Sequence, residues 1–265
     1  MRSWIDSLAK PVLVAGVGSG LTAAAAAAGG ADALSVYSTA VYRIKGLPTA
    51  LSFLPYEDCN AVAFAALRET RAALRDLVDT PPVFVGLGVH DPRSDITALL
   101  DSAIALGANG VSNEPFVSMY GSEIEFALER SGLGFEREVR LLTLARDRGL
   151  MTFGWAFNPR QAAVLADCGV DLIGAMAGIS QVAAGSGDSL AQAIAALAAI
   201  SDSAKARRRE CLVLGHGGPF TSAESVRLLL AGSSLDGFAT GSNIERDVVH
   251  AAVRDAVGSL KRHLS

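Results

Sequence analysis

Residues 211–246 read CLVLGHGGPFTSAESVRLLLAGSSLDGFATGSNIER. This stretch opens with a short apolar run over Cys211–Gly215, continues with a helical pattern over Ser222–Leu230, and ends with a second strand pattern over Gly237–Thr240. A strand, a helix and a strand in that order predict two parallel strands joined by a helical crossover. Glycine-rich segments follow both strands, so each strand is expected to end in a loop whose backbone is sterically open.

The same unit of a strand followed by a helix repeats along the chain. Strands are predicted over Val12–Gly16, Ala33–Tyr37, Val83–Gly86, Gly110–Asn113, Thr152–Trp155, Leu172–Ala175, Cys211–Gly215 and Gly237–Thr240. Helices are predicted over Leu21–Ala28, Asn60–Val78, Ile96–Leu106, Glu136–Arg148, Arg160–Ala166, Leu190–Ala206, Ser222–Leu230 and Val248–Leu264. Because no two strands are consecutive, the pattern is typical of a parallel sheet, and a chain of 265 residues suits one barrel of eight such units.

We therefore predict an α/β protein with a single (β/α)8 TIM-barrel domain over residues 1–265. An open, doubly wound sheet is the alternative, and it would usually carry a glycine fingerprint and an acidic residue at a dinucleotide site. The loops favour the barrel. Turns after the helices are short and rich in glycine, whereas longer loops follow the strands at Ser38–Cys59, Pro115–Phe135 and Ile179–Ser189. A barrel with its site at the carboxyl ends of the strands has this asymmetry.

Composition restricts the partners and the compartment. The formal net charge is -4 with mixed signs, and the one basic cluster, Arg207-Arg208-Arg209, falls at a predicted helix end, so we expect no nucleic-acid partner. Three widely spaced cysteines argue for a reducing compartment and against a disulfide or zinc framework. The first residues do not resemble a secretory signal, and no apolar run is long enough to span a bilayer. We expect a cytoplasmic homo-oligomer that does not bind membranes.

Glycines after the last two strands indicate an anion site. In many barrels the loops after strands seven and eight bind phosphate through glycine amides and a helix N-terminus. We predict that a small anionic metabolite binds there and at neighbouring strand ends. The predicted binding residues are Gly217, Gly218, Gly241, Ser242 and Arg246, with Gly18, Ser19, Tyr37 and Asn113. The alternative is that the glycines serve only as turns; the segment Gly16-Val17-Gly18-Ser19-Gly20 lacks the third glycine of a dinucleotide fingerprint and is weak evidence alone.

Four polar residues near strand ends are candidates for catalysis. His216 is the first choice for proton transfer, because histidine titrates near neutral pH and this one ends a buried strand beside glycines. Glu114 is a candidate base or cation ligand, His90 is a further candidate acid or base, and Arg43 is a candidate for stabilising an enolate. A structural histidine is the competing interpretation of His216. Asp91 or Ser94 is expected to cap the next helix.

At these residues the chain resembles the phosphoenolpyruvate hydrolase-like family, also called TIM-barrel signal-transduction proteins, which includes the barrel half of a plant tobamovirus-resistance protein. The resemblance extends from Val14-Ala15-Gly16-Val17-Gly18-Ser19-Gly20-Leu21 to Gly241-Ser242-Asn243-Ile244-Glu245-Arg246. Matching segments between them include Tyr42-Arg43, Leu54-Pro55-Tyr56, Gly110-Val111-Ser112-Asn113, Ser131-Gly132-Leu133-Gly134-Phe135 and His216-Gly217-Gly218-Pro219.

The resemblance implies a barrel related to phosphonopyruvate hydrolase and to other enzymes that act through an enolate. It implies a hydrolase or lyase that breaks a C–C or C–P bond in a small oxo- or phospho-acid. Whether a divalent cation such as Mg²⁺ takes part is left open. The chain departs from the family where Ala175-Met176-Ala177-Gly178 replaces a His-Met-Gly segment and where His90 enters a segment that is usually Cys-Gly-Thr-Asp-Pro. The alternative function is therefore a non-catalytic ligand-binding or signalling barrel.

Overall fold

The computed structural model describes residues 2–178 and 190–264. Its strands are β1 (Val12–Val17), β2 (Ala33–Val36), β3 (Val83–Gly86), β4 (Gly110–Ser112), β5 (Met151–Ala156), β6 (Leu172–Met176), β7 (Leu212–His216) and β8 (Gly237–Thr240). The α-helices among the described residues are α1 (Arg2–Ser7), α2 (Gly20–Ala28), α3 (Ser38–Ile44), α4 (Cys59–Ala73), α5 (Ile96–Ala105), α6 (Ser122–Arg130), α7 (Phe135–Asp147), α8 (Pro159–Asp167), α9 (Leu190–Arg207), α10 (Ala223–Ala231) and α11 (Arg246–Leu264).

The eight strands close into a barrel in sequence order. Each strand pairs in parallel with the next, and β8 returns to pair with β1, with Val12 opposite Gly237 and Ala15 opposite Thr240. At Gly237 a Cβ atom would lie 1.9 Å from the carbonyl oxygen of Val12, so only glycine allows the closing strands to approach this far. Closure confirms the predicted (β/α)8 barrel and excludes the open doubly wound sheet.

Two apolar cores hold the barrel together. The inner core fills the barrel with side chains such as Val14, Phe84, Phe153, Leu172 and Leu214, whereas the outer core lies between the strands and the surrounding helices. Alternate residues of each strand enter different cores because successive side chains point to opposite faces. Helix α1 and the residue that follows it close the amino-terminal end of the barrel, where Trp4, Ile5 and Leu8 pack on the inner core. The carboxyl-terminal end is therefore the open one.

Element boundaries agree with the sequence patterns, but several short helices were not predicted. The strand positions are right to within one residue at most ends, and helix α4 stops at Ala73 rather than at Val78. The loop predicted over Ser38–Cys59 contains α3, and the loop over Pro115–Phe135 contains α6. Six of the seven residues of α3 are buried, which removes the apolar-polar alternation by which a surface helix is recognised.

Two other local predictions need correction or fall outside the structure. Helix α5 is capped by the carboxylate of Asp95, which accepts from the N–H of Ala98, and not by Asp91 or Ser94. Asp91 instead pairs with the exposed Arg93. The predicted loop Ile179–Ser189 lies outside the described residues. Across the described ranges, no helix combines the length and apolarity that a bilayer crossing requires.

Asp236 stabilises the barrel just before β8. Its buried carboxylate accepts a 2.9 Å hydrogen bond from the N–H of Val213 in β7 and forms ion pairs with Lys10 and Lys205. Asp236, just before β8, is thereby connected to Lys10 before β1, to Lys205 near the end of α9 and to Val213 in β7. Loss of this carboxylate would leave the N–H of Val213 buried without its acceptor.

We expect Asp236→Ala to lower the free energy of unfolding by about 1–3 kcal/mol, because a buried donor left without a partner incurs its full desolvation cost. Urea unfolding followed by circular dichroism measures this change. Asp167→Ala is the matched control, because its ion pair with Arg207 is exposed and should contribute no measurable stability. Equal stability of the two variants would contradict this role for Asp236.

Candidate active site at the barrel mouth

A cavity lies at the carboxyl ends of the strands, where a barrel of this kind usually has its site. Its polar lining comes from the ends of β2, β4, β7 and β8, and its apolar lining comes largely from aromatic side chains. The lining residues are Tyr37, Thr39, Arg43, Thr49, Phe53, Glu114, Phe116, Trp155, Met176, His216, Gly217, Phe220, Thr221, Phe238, Ala239, Gly241, Ser242, Asn243 and Asp247.

Arg43 is the buried cation of this cavity. It stands on α3, and its guanidinium forms an ion pair with Glu245 at 2.6 Å and donates to the carbonyl oxygen of Gly16 at 2.7 Å. Glu245 in turn accepts from the N–H of Gly18 and the hydroxyl of Thr22. This network leaves the Nη1 of Arg43 facing Tyr37 and Gly241, since Nη1 lies 3.4 Å from the hydroxyl oxygen of Tyr37.

His216 presents one unprotonated ring nitrogen to the cavity. Its Nδ1 lies 2.7 Å from the carbonyl oxygen of Ala239, which can only accept, so Nδ1 carries the proton and Nε2 is the free acceptor. Burial, together with the nearby charge of Arg43, lowers the pKa of His216 to about 4, although the hydrogen bond to Ala239 acts in the opposite direction. Neutral imidazole is therefore the dominant form at neutral pH.

Gly241 creates the space in which His216 and Arg43 meet. A Cβ atom at this position would lie 3.1 Å from the Cε1 of His216 and 3.4 Å from the Nη1 of Arg43. Any larger residue would crowd the gap between the imidazole and the guanidinium. The glycine therefore serves a steric role here, and a ligand group can approach both side chains at once.

Glu114 and Tyr37 complete the polar side of the cavity. Burial raises the pKa of Glu114 to about 8, although the charge of Arg43 acts in the opposite direction. Burial also raises the pKa of Tyr37 to about 12, so its phenol stays protonated and can donate. Within the described residues, the buried Oε2 of Glu114 has no hydrogen-bond partner. Buried polar atoms are rarely unpartnered, so this oxygen is a point at which a ligand would bind.

Aromatic rings line the rest of the cavity. The indole of Trp155 lies edge to face with the His216 ring at 5.0 Å, and Phe116 and Phe238 are also buried beside the cavity. The indole can occupy this position because residue 174 is glycine: a Cβ there would lie 2.2 Å from the indole carbon Cε3. The indole N–H of Trp155 is buried and unpartnered among the described residues, so it is a second free polar group.

Seven of the sequence-predicted site residues line the cavity, and six do not. Those lining it are His216, Glu114, Arg43, Tyr37, Gly217, Gly241 and Ser242, and those outside it are His90, Gly18, Ser19, Asn113, Gly218 and Arg246. The roles assigned to the first group remain predictions. The positions of the second group argue against direct contact with a ligand in this cavity.

Two of the glycine amides in the predicted anion site have partners within the protein. The N–H of Gly218 donates to the carbonyl oxygen of Gly178, and the N–H of Gly241 donates to the side chain of Asn243. Both amides are therefore engaged within the protein. Gly218 also has a φ of +61°, so a β-branched residue there would strain the backbone as well as any ligand contact. Side-chain donors, with Arg43 first among them, are better placed to hold an anion than these amides.

The residues outside the cavity have structural partners instead. The N–H of Gly18 is bound by Glu245, and Ser19 caps α2. The side-chain amide of Asn113 donates to the carboxylate of Glu138 and accepts from the backbone N–H of Trp155.

Two charged or titratable candidates also point elsewhere. Arg246 donates to the carbonyl oxygen of Leu47. The His90 ring packs edge to face against Tyr120, 5.9 Å away.

The donor set of the cavity does not fit a directly coordinated divalent cation. In the described ranges 2–178 and 190–264, no three His, Cys, Asp or Glu side chains are close enough to hold a metal ion. Glu114 has a free oxygen, but Arg43 is its charged neighbour and would repel a cation. Glu245 is fully engaged by Arg43, Gly18 and Thr22.

Comparison with known proteins identifies the family. A family model described as phosphoenolpyruvate hydrolase-like matches residues 2–262. The chain belongs to this family. Among curated relatives, the ToMV susceptible protein tm-1(GCR26) of Solanum lycopersicum is 29% identical over 96% of the chain. The chain spans about a third of that relative's length, since the match covers 34% of it.

Solved structures with the same fold are more distant in sequence. A phosphonopyruvate hydrolase in complex with oxalate and Mg²⁺ has a TM-score of 0.64 at 14% identity, over 99% of this chain and 86% of that one. An oxaloacetate acetylhydrolase has a TM-score of 0.61 at 15% identity, over 100% and 86%. At this identity the likeness shows the fold alone. This phosphoenolpyruvate hydrolase-like chain therefore shares its barrel fold with both structures, and it has the cavity described above.

Sequence reasoning did not single out two features of this family member's site. Glu245 enters the sequence analysis only as part of the segment that carries the family resemblance, although its position after Gly241-Ser242-Asn243 places it near the predicted site. The aromatic wall gave no signal, because Phe116, Trp155 and Phe238 are indistinguishable from core residues in a linear pattern. Their shared cavity depends on the curvature of the barrel.

We expect Glu245→Ala to lower the free energy of unfolding by about 3–5 kcal/mol, since it leaves the buried charge of Arg43 without a partner. Thermal or urea unfolding measures the loss. Glu210→Ala is the control, because Glu210 is exposed and only 3.9 Å from Arg208. A Glu245 variant as stable as this control would mean that the Arg43–Glu245 pair does not hold the loops together.

Proposed function

We propose that the barrel mouth binds a small oxo acid with one carboxylate and an apolar substituent. We further propose that it breaks the bond between the carbon next to the carbonyl and the following carbon of the chain, so that an enolate forms. The observation that carries the proposal is the meeting of three groups in one cavity: the cation Arg43, the neutral base His216 and the neutral acid Glu114.

The charge of the cavity favours a single carboxylate over a phosphate. Arg43 is the one Lys or Arg among the residues lining the described cavity, and Glu245 already pairs with it. Asp247 and Glu114 are the acidic lining residues. A phosphate dianion would place two negative charges against one paired cation, whereas a carboxylate can accept from the Nη1 of Arg43 with one charge. The hydroxyl groups of Tyr37 and Ser242 are further donors.

The aromatic wall favours a substrate with an apolar part. A small, fully polar acid would leave Phe116, Trp155 and Phe238 facing water or an unfilled gap. An alkyl or aryl substituent would bury this surface, and burial of apolar area contributes about 25 cal/mol per Å². The cavity thus supports an acid whose polar end binds near Arg43 and whose apolar end packs on these rings.

The proton transfers follow from the protonation states of the two neutral groups. In a 4-hydroxy-2-oxo acid, the Nε2 of His216 accepts the proton of the hydroxyl group on C4. The bond between C3 and C4 then breaks, and C4 leaves as the carbonyl carbon of the first product. Electrons of the broken C–C bond pass to the oxygen of the enolate, which Arg43 and the Tyr37 hydroxyl stabilise. Glu114 then donates its proton to the enolate carbon, and solvent exchange restores both groups.

The structural neighbours support this class of reaction. The family description refers to hydrolysis of phosphoenolpyruvate, which is an enol-derived acid, but that hydrolysis breaks no C–C bond. Solved barrels of the same fold include an oxaloacetate acetylhydrolase and a 2,3-dimethylmalate lyase, whose names specify carboxylic acids as substrates. The activity of the longer plant relatives is not carried over, because the chain spans only 34% of the first of them.

The experiment is a panel of acids assayed by NMR with the purified chain. It contains 4-hydroxy-2-oxo acids with methyl, isopropyl and phenyl substituents, together with oxaloacetate and phosphoenolpyruvate. Each acid is tested with Mg²⁺ and with EDTA. Cleavage of an apolar-substituted acid supports the proposal. Binding without turnover across the panel would favour the alternative of a ligand-binding barrel.

We expect His216→Asn to reduce turnover of the best substrate about 10²–10⁴-fold, because a positioned general base contributes that factor. Asparagine keeps a polar group of similar size but cannot accept the proton. His90→Asn is the matched control, since His90 lies outside the cavity and its replacement should leave turnover within about threefold of the parent. Full activity of the His216 variant would show that this histidine is structural.

We expect kcat/KM to follow a bell-shaped pH profile between about pH 4 and pH 8. On the acidic side, activity appears as His216 loses its proton, since its pKa is lowered to about 4. On the basic side, activity falls as Glu114 loses its proton, since its pKa is raised to about 8. Glu114→Gln should lower turnover, because glutamine cannot donate the proton, and the residual activity should lack the basic limb; a basic limb that persists in this variant would assign it to another group.

A further inference from the structure

Trp155 carries a hydrogen-bond donor in the cavity wall that no acceptor within residues 2–178 and 190–264 engages. Its side chain is buried, and its indole Nε1 has no hydrogen-bond partner in that part of the chain. An indole nitrogen can only donate, and a buried tryptophan usually finds an acceptor for it. The apolar contacts of the ring do not account for this group, since a phenylalanine would provide them without an unpartnered N–H.

The surroundings of the indole direct this N–H into the cavity. A Cβ atom on Gly174 would lie 2.2 Å from the indole Cε3 and 2.4 Å from Cζ3, so this edge of the ring packs on β6. The N–H is on the opposite edge of the planar ring and therefore faces away from β6. The other neighbours are rings, with centroids 6.2 Å away for Phe116, 4.6 Å for Phe153 and 5.0 Å for His216. Since phenylalanine rings offer no acceptor atom, an acceptor reaches the N–H from the cavity that the indole lines.

The position of Trp155 is fixed before any ligand binds. The side-chain oxygen of Asn113 accepts from the backbone N–H of Trp155 at 2.7 Å, and the side-chain nitrogen of Asn113 donates to Glu138 at 2.5 Å. Glu138 is buried and also accepts from the backbone N–H of Val117 at 2.7 Å. Because Asn113 precedes Glu114 in the chain, one amide holds both the proposed acid and the indole. A donor that is already held in place loses little conformational freedom on binding.

His216 and Trp155 offer opposite hydrogen-bonding groups to one ligand atom. Their rings are in edge-to-face contact; the free Nε2 of His216 accepts, and the free N–H of Trp155 donates. A hydroxyl group donates one proton and accepts at its lone pairs, so it can use both groups at once. A carboxylate oxygen would face the lone pair of Nε2, and an ammonium group would face the indole N–H. The two side chains together therefore favour a hydroxyl group.

We propose that the indole N–H of Trp155 donates to the oxygen on C4 of the 4-hydroxy-2-oxo acid, which is the oxygen whose proton passes to His216. This inference rests on the function proposed above and adds a donor to it. Negative charge develops on the oxygen as its proton leaves, and the charge is lost when the C3–C4 bond breaks and C4 becomes a carbonyl carbon. A fixed donor stabilises such a charge. Trp155 also selects for the C4 oxygen in binding, because an acid without it leaves the N–H buried and unpartnered.

Two acids that cannot be cleaved separate this hydrogen bond from turnover. They are 2,4-dihydroxy-4-methylpentanoate and 2-hydroxy-4-methylpentanoate, which differ only by the hydroxyl group on C4. Because neither has a carbonyl at C2, no enolate can form and the C3–C4 bond stays intact. Both keep the carboxylate and the apolar methyl groups. The measurement is an NMR titration of the ¹⁵N-labelled chain, in which Trp4 and Trp155 give the two indole N–H signals.

The Trp155 signal should move downfield with the dihydroxy acid and much less with the monohydroxy acid, while the Trp4 signal stays in place. Trp155→Phe removes the donor and keeps an aromatic ring, so the preference of the chain for the dihydroxy acid should fall about 3–10-fold, which is the contribution of one neutral hydrogen bond. Trp4→Phe is the matched control, because it removes an indole that packs on the inner core at the amino-terminal end of the barrel. It should leave the preference unchanged.

The outcomes distinguish this inference from the proposed function. If both acids bind and the Trp155 signal responds equally to them, or if Trp155→Phe weakens both equally, the indole is only part of the apolar wall and this inference is wrong. If neither acid binds to the parent chain, the acid site proposed above fails together with it. The Trp4 signal reports the folding of the Trp155 variant, so a loss of binding is not confused with a loss of structure.

Discussion

The ion pair between Arg43 and Glu245 connects three loops at the open end of the barrel. Glu245 follows β8 and binds the N–H of Gly18 after β1, and Arg43 stands on α3 after β2. Two buried charges are costly unless their remaining hydrogen-bonding groups are satisfied. Here the carbonyl oxygen of Gly16 and the hydroxyl of Thr22 provide those further contacts. The pair thereby orients the guanidinium toward the cavity and fixes the start of α11.

Burial acts on the two titratable groups of the cavity in opposite directions. A low dielectric disfavours the charged form of any side chain, so it lowers the pKa of His216 and raises the pKa of Glu114. One physical cause thus produces a neutral base and a neutral acid in the same pH range. The aromatic wall contributes to this effect, because Trp155 and Phe238 exclude water from the imidazole.

The turn after β8 contributes to the site and also sets where the last helix begins. Within it, the N–H of Ile244 donates to the carbonyl oxygen of Gly241, and the N–H of Asp247 donates to that of Ser242. Glu245 lies in this turn and pairs with Arg43, so the network that orients the guanidinium also holds the start of α11.

The sequence alone determined the architecture, because apolar runs, helical periodicity and glycine-containing turns are local signals. It also predicts that Arg43, Glu114 and His216 lie at one face of the barrel, since the carboxyl ends of parallel strands share that face; all three line one cavity, and their catalytic roles remain predictions. Only the tertiary structure decided which neighbours engage them. The amides of Gly218 and Gly241 are occupied by Gly178 and Asn243, and no pattern along the chain reports a hydrogen bond between distant loops.

The buried helix α3 and the aromatic wall of the cavity are not recognisable in the sequence, and the reason is the same for both. Their residues look like ordinary core or loop in one dimension, and their roles arise from the curvature that brings separate strands around one cavity. The sequence predicts the last helix over Val248–Leu264, but it does not predict that Val253, Val257 and Leu260 are largely exposed. Whether an apolar face is buried depends on the direction in which the preceding turn sends the chain, and that direction is set by contacts between β8, α3 and β1.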